Sequence, residues 1–193
     1  NNTKKNQYFT DLHVHIGRDE RDLPVKITAS RKLTFANIAR ECHYRKGIDI
    51  VGVVDCASPR VIDDIGRLIQ TGEMRELHDG GLRYQNNVTV ILGSEIETKE
   101  KTGKLSHQIG FFPYFADIRE FSKKMGSLIT NINLSSQNSR VTAQDLFKIV
   151  NELGGILIPA HDLTPQKSIF GNCVAKLKEK FKNYTIKKIP AIE

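Results

Sequence analysis

Apolar and β-branched residues gather in six short runs: YFTDLHVHI at 8–16, DIVGVVD at 49–55, VTVILGSEIE at 88–97, HQIGFFP at 107–113, GILIPAH at 155–161 and IPAIE at 189–193. Their length and β-branched content predict strands. Between them the spacing turns helical. Phe35, Ile38, Ala39 and Cys42 share one face of a helix that Thr34 caps and Gly47 stops. Ser58 and Pro59 open a second helix, which Gly72 closes. Thr142, with Asp145 three positions on, resembles a capping box for a third at 143–153, before Gly154 and Gly155.

Strands alternating with helices predict an α/β fold with a largely parallel sheet. The stretch from Thr98 to Ser106 is too short for a crossover helix and predicts a hairpin. NINLSSQNSR reads as an ordered loop. With 193 residues, 39% of them hydrophobic, residues 1–193 are expected to form one domain.

Charge adds little to the fold but something to function. The 29 basic and 22 acidic residues leave +7, concentrated at Lys99, Lys101 and Lys104 and at Lys176, Lys178, Lys180, Lys182, Lys187 and Lys188. Such clusters are either solvated surface or a contact for a polyanion. No apolar run spans a bilayer, the polar start has no signal-peptide core, and three widely spaced cysteines make no disulfide framework or zinc finger. A soluble, cytoplasmic protein is expected.

The polar residues inside the strands carry the chemistry. Alternation in the first run sets Asp11, His13 and His15 on one face and Leu12, Val14 and Ile16 on the other. Imidazoles two residues apart on a strand sit roughly 7 Å apart at Cα and can converge on one divalent metal. Asp11 is expected to accept the second ring N–H of a ligand histidine. A lone His-x-His is weak, but Asp55, Glu95, Glu97, His161 and Glu193 also close apolar runs. Ionisable groups at the carboxyl ends of several strands are how a β/α barrel builds its active site. His107 begins its strand, and the hairpin returns it to the neighbourhood of Glu95. Together these residues predict a metal centre. Glu97 reads as a second ligand, a group behind one, or a surface charge. His43 and His78 read as surface residues and Cys56 as a small core residue.

DLHVH, VVDC, GSEIE and PAH resemble the motifs of the polymerase and histidinol phosphatase (PHP) superfamily. GIDIVGVVDCASPRV, HQIGFFP, NLSSQNS, ELGGILIPAHDLTPQKSIFG and IPAIE are similar to its endonuclease Q branch, over nearly the whole chain. The resemblance implies a distorted (β/α)7, TIM-like barrel with two or three divalent metals: zinc, manganese or iron. It also implies cleavage of DNA on the 5′ side of deaminated bases or abasic sites. By motif, His13 and His15 would hold one metal, Glu95 would bridge to another, and His107 and His161 would complete the second. Asp55 matches the aspartate of the second motif, and the resemblance gives catalytic roles to Asp55, Glu95 and His161.

The sequence departs from the family at Cys56, where many PHP domains have a ligand histidine, and no histidine closely follows His15. It reaches Glu193 without the family's Asp-x-His motif or the branch's four-cysteine zinc site. The expectation is a barrel truncated before its last strand, poorly active alone and open to self-association through an unpaired edge. The alternatives are a small-molecule PHP phosphatase, acting for example on histidinol phosphate, and an inactive metal-binding module.

Overall fold

The computed structural model describes residues 7–161 and 164–173. The IPAIE run, Glu193 and the C-terminal lysines lie outside the described residues. The elements are β1 (Thr10–Val14), α1 (Phe35–Glu41), β2 (Ile50–Val53), α2 (Pro59–Gln70), β3 (Met74–Glu76), β4 (Leu82–Tyr84), β5 (Val88–Lys99), β6 (Leu105–Phe112), α3 (Phe115–Met125), β7 (Gln137–Asn138), α4 (Ala143–Glu152) and β8 (Ile156–Pro159).

The long strand β5 organises the sheet. Its first half pairs with β2 on one edge and β4 on the other, and its second half pairs with β7 and β6. β1 adds in parallel to β2, β3 adds to β4, and β8 adds antiparallel to β6. Thus β1, β2, β5 and β8 run the same way, and β6 runs against them as the hairpin requires. The expectation is a barrel left open because it stops before its last strand, and the described residues form an open sheet rather than a TIM-like barrel. Among them β1 pairs only with β2 and β8 only with β6, leaving an open mixed sheet. Closure would need paired backbone between those two strands. Phe9 is 75% exposed and Leu12 44% on this side of the sheet.

Alternation gives the sheet two apolar faces. Val51, Val53, Leu92, Ile96 and Phe112 pack outward against Ile38, Ile65, Phe121 and Leu146 of the helices. Val54, Ile109, Phe111 and Ala160 form a smaller inner cluster with Ile91 and Ile158. Each fully buried aliphatic side chain contributes about 1.5–3 kcal/mol.

Thr34 accepts a hydrogen bond from the Asn37 N–H, and Thr142 caps α4 through the Asp145 N–H. Ser58 precedes Pro59 as expected, but its hydroxyl donates to Asn133 rather than capping α2. The first helix passes into a π-helical turn, Cys42–Lys46, and stops at Gly47, whose φ of 63° suits glycine. Helix α3 and the short strands β3 and β4 have no counterpart among the sequence-based expectations. Ile118, Phe121, Ser122 and Met125 give α3 a buried face at helical spacing. Among the described residues no helix is long and apolar enough to cross a membrane.

One irregularity matters for the site. Asp11 pairs with Val51 but Val14 pairs with Val53, so three steps along β1 oppose two along β2. This bulge falls on the histidine motif and re-aims its side chains.

Candidate metal centre

The shared direction of β1, β2, β5 and β8 brings their carboxyl ends together, and the β5–β6 hairpin adds the start of β6. Two groups of converging donors result: His13, His15 and Glu95, and Glu95, His107 and His161. Glu95 belongs to both. Its Oε1 lies 3.6 Å from His13 Nε2, 3.1 Å from His107 Nδ1 and 3.7 Å from His161 Nε2. Its Oε2 lies 3.6 Å from His15 Nε2 and accepts the Ser136 hydroxyl at 2.8 Å. Burial opposes ionisation of Glu95, yet hydrogen bonds from His107 and His13, the charge of His107 and the Ser136 hydroxyl hold its carboxyl far below the usual carboxylate range.

The donor set fits a divalent cation. Two ligands about 2.0–2.1 Å from a tetrahedral ion stand roughly 3.3–3.4 Å apart. The Glu95–histidine pairs are separated by 3.1 to 3.7 Å and His107 Nδ1 and His161 Nε2 by 3.1 Å, and all donors within each group lie within 4.8 Å of one another.

Carboxylates stand behind two of the histidines. Asp55 Oδ2 is 3.0 Å from His15 Nδ1, leaving Nε2 toward Glu95, and also accepts the Ile16 N–H at 2.7 Å. Glu97, directly opposite His107 in the hairpin register, sets Oε2 3.1 Å from His107 Nε2, leaving Nδ1 toward Glu95. Such partners fix the tautomer and orientation of a metal-binding imidazole. The role expected of Asp11 is therefore taken by Asp55. Asp11 instead accepts the backbone N–H of His13 at 3.2 Å and so braces the β1 bulge. Asp55, expected among the ligands, backs His15 and belongs to neither donor group.

Three residues that no strand or helix period assigns to the site complete the rim. The polar loop before β7 brings the Ser135 hydroxyl 3.0 Å from His15 Nδ1 and the Ser136 hydroxyl onto Glu95. Lys167 reaches Glu97 Oε2 at 3.0 Å. Ser136, His161 and Lys167 have φ of 50°, 36° and 57°, three of the five described non-glycine residues in the left-handed region. Each costs on the order of 1–3 kcal/mol, and such strain gathers at functional sites.

Cys56 turns away from the centre. It is fully buried, its thiol donates to the Val53 carbonyl, and burial pushes its ionisation up. His43 lies half-buried against Asn87, and His78 is exposed. Neither joins a donor group.

No protein-family model matches the chain. Over 168 residues the chain is 42% identical to the uncharacterized protein YqxK of Bacillus subtilis (strain 168), covering 86% of this chain and 43% of that protein. The chain thus spans less than half the length of the curated relative it matches. A structure of endonuclease Q in complex with a 27-mer duplex substrate, with an abasic lesion at the active site, superposes with a TM-score of 0.72 at 27% identity. It covers 96% of this chain and 42% of that one. The lesion-specific endonuclease PfuEndoQ of Pyrococcus furiosus gives 0.73 at 26% identity, over 96% and 41%. A Bifidobacterium adolescentis protein assigned as a metal-dependent phosphoesterase gives 0.57 at 10% identity, over 96% and 77%, a likeness of fold alone. The chain is thus similar across nearly its whole length to part of the endonuclease Q structures and shares the fold of that phosphoesterase.

Proposed function

We propose that the chain is the PHP-type metal-dependent phosphoesterase region of a DNA endonuclease, cutting on the 5′ side of deaminated bases or abasic sites. The observation that carries this reading is the sharing of Glu95 by two histidine groups at one end of the sheet. The likeness to endonuclease Q supports the choice of substrate. In this reading residues 1–193 form one domain, and the open sheet is part of a distorted β/α barrel.

His13, His15 and Glu95 would hold one divalent ion, zinc, manganese or iron, and Glu95, His107 and His161 a second. Bound there, paired divalent ions supply an activated water and neutralise charge developing on a phosphoryl group. The chain's own residues supply the orientation. Asp55 and Glu97 hold His15 and His107 by their outer nitrogens, and Ser136 keeps one oxygen of Glu95 turned toward His15. His161, 31% exposed in its side chain, would meet the substrate from the open side.

The test is incubation of zinc- or manganese-loaded protein with duplex DNA carrying one deoxyinosine or one abasic site. A single nick on the 5′ side of the lesion is expected. Intact DNA together with rapid hydrolysis of a phosphomonoester would replace this reading with a small-molecule phosphatase.

A further inference from the structure

The geometry points to Lys167 as a contact for a substrate phosphate next to the one being cut, an inference that rests on the DNA reading above. Lys167 sits on the rim of the second donor group. Its ammonium is 3.0 Å from Glu97 Oε2, the oxygen that also holds His107 Nε2 at 3.1 Å, so only Glu97 separates it from a metal-facing histidine. The side chain is 54% exposed. A lysine pairing only with Glu97 would use one of the three donors of its ammonium, leaving the others for an oxyanion at the mouth.

The backbone fixes that position. Lys167 holds φ at 57°, and its carbonyl accepts the His107 N–H at 2.8 Å. The 164–168 turn is further pinned by the Ser168 hydroxyl on the Thr164 carbonyl, and Asn172 donates to the Leu105 carbonyl beside it. A flexible surface lysine needs no such anchorage. A phosphodiester chain lying across the centre presents its next phosphate one nucleotide away, within reach of a cation at the rim. A small phosphomonoester has no such group, so Lys167 would favour polymeric over small substrates.

The test compares wild type with Lys167→Met and Lys167→Arg. Binding of an abasic-site duplex is followed by fluorescence anisotropy across a salt series, with calcium present to hold off cleavage, and zinc affinity is measured separately. Losing one phosphate contact lowers the slope of log affinity against log salt by about 0.9. The expected result is that loss in Lys167→Met, its recovery in Lys167→Arg, and unchanged zinc affinity in both. An unchanged slope with weakened zinc binding would overturn the inference and make Lys167 a positioning residue acting through Glu97. A flat salt response in the wild type would overturn the DNA reading itself, and this inference with it.

Discussion

Asp55 Oδ2 lies 3.0 Å from His15 Nδ1 and accepts the Ile16 N–H at 2.7 Å. One carboxylate at the end of β2 thereby fixes both the ring and the backbone of the neighbouring strand just past the β1 bulge. The bulge frees the His13 N–H, and Asp11 takes it. Two aspartates thus hold this segment so that both histidines reach Glu95.

Replacing Asp55 separates these two duties. Asn at position 55 can still accept the Ile16 N–H but holds the imidazole without charge, and loss of such an outer partner typically weakens metal affinity about 10–100-fold. Asp55→Ala also strands the buried Ile16 N–H, adding roughly 1–3 kcal/mol of destabilisation. Chelator competition and thermal unfolding would separate the effects. Asp55→Asn binding zinc as tightly as wild type would remove Asp55 from the centre.

Much of the site is legible in the sequence because the residues concerned obey a simple period. The apolar runs leading to Asp55 and His161 mark strand ends, whereas β5 continues past Glu95 to Lys99, and the short link from Thr98 to Ser106 requires a hairpin that returns His107 to Glu95. Asp11 escapes the pattern because alternation assumes an unbroken ladder, and the irregularity between Asp11 and Val14 sets Asp11 out of step with His13 and His15, which do reach Glu95. Ser135, Ser136 and Lys167 lie inside stretches that carry the resemblance, but nothing in the pattern of the residues assigns them to the centre. They come from loops, where no period constrains the side chain, and their positions depend on φ values a sequence does not state. Helix α3 carries a readable apolar spacing that lies between stronger signals.

Cys56 offers a prediction independent of any metal. Burial pushes its thiol above the ordinary value of 9.0, so the folded state resists losing that proton while the unfolded chain does not. A group with a raised folded value keeps its contribution below the unfolded value and loses it as pH rises beyond. Stability should therefore fall above about pH 9 by up to about 1.4 kcal/mol per pH unit from this thiol. Urea unfolding of wild type and Cys56→Ala at neutral and alkaline pH would isolate the contribution. Parallel pH profiles for the two proteins would refute it.

The close approach between β1 and β2 gives the most direct test of how the sheet aims its histidines. A Cβ at Gly52 would stand 2.6 Å from the Leu12 carbonyl oxygen and 2.9 Å from its carbon atoms, all backbone that cannot rotate away. Leu12 lies within the bulge, one residue before His13. Gly52→Ala must push β1 outward, at a cost of about 1–3 kcal/mol. Metal coordination tolerates displacements of only about 0.2 Å, so zinc held by His13, His15 and Glu95 should be lost first. His107 and His161 hang from β6 and the end of β8, away from the disturbance, and a second ion there should persist more strongly. Gly66→Ala is the matched control. From helix α2 its Cβ would meet the ring of Phe115 on α3 at an ordinary 3.5 Å, so near-native stability and full metal binding are expected. Stepwise zinc titration followed by the histidine ring resonances would read both variants. If Gly52→Ala bound zinc at His13 and His15 like wild type, the glycine would have no part in aiming them, and the bulge would owe its position to Asp11 and Asp55 alone.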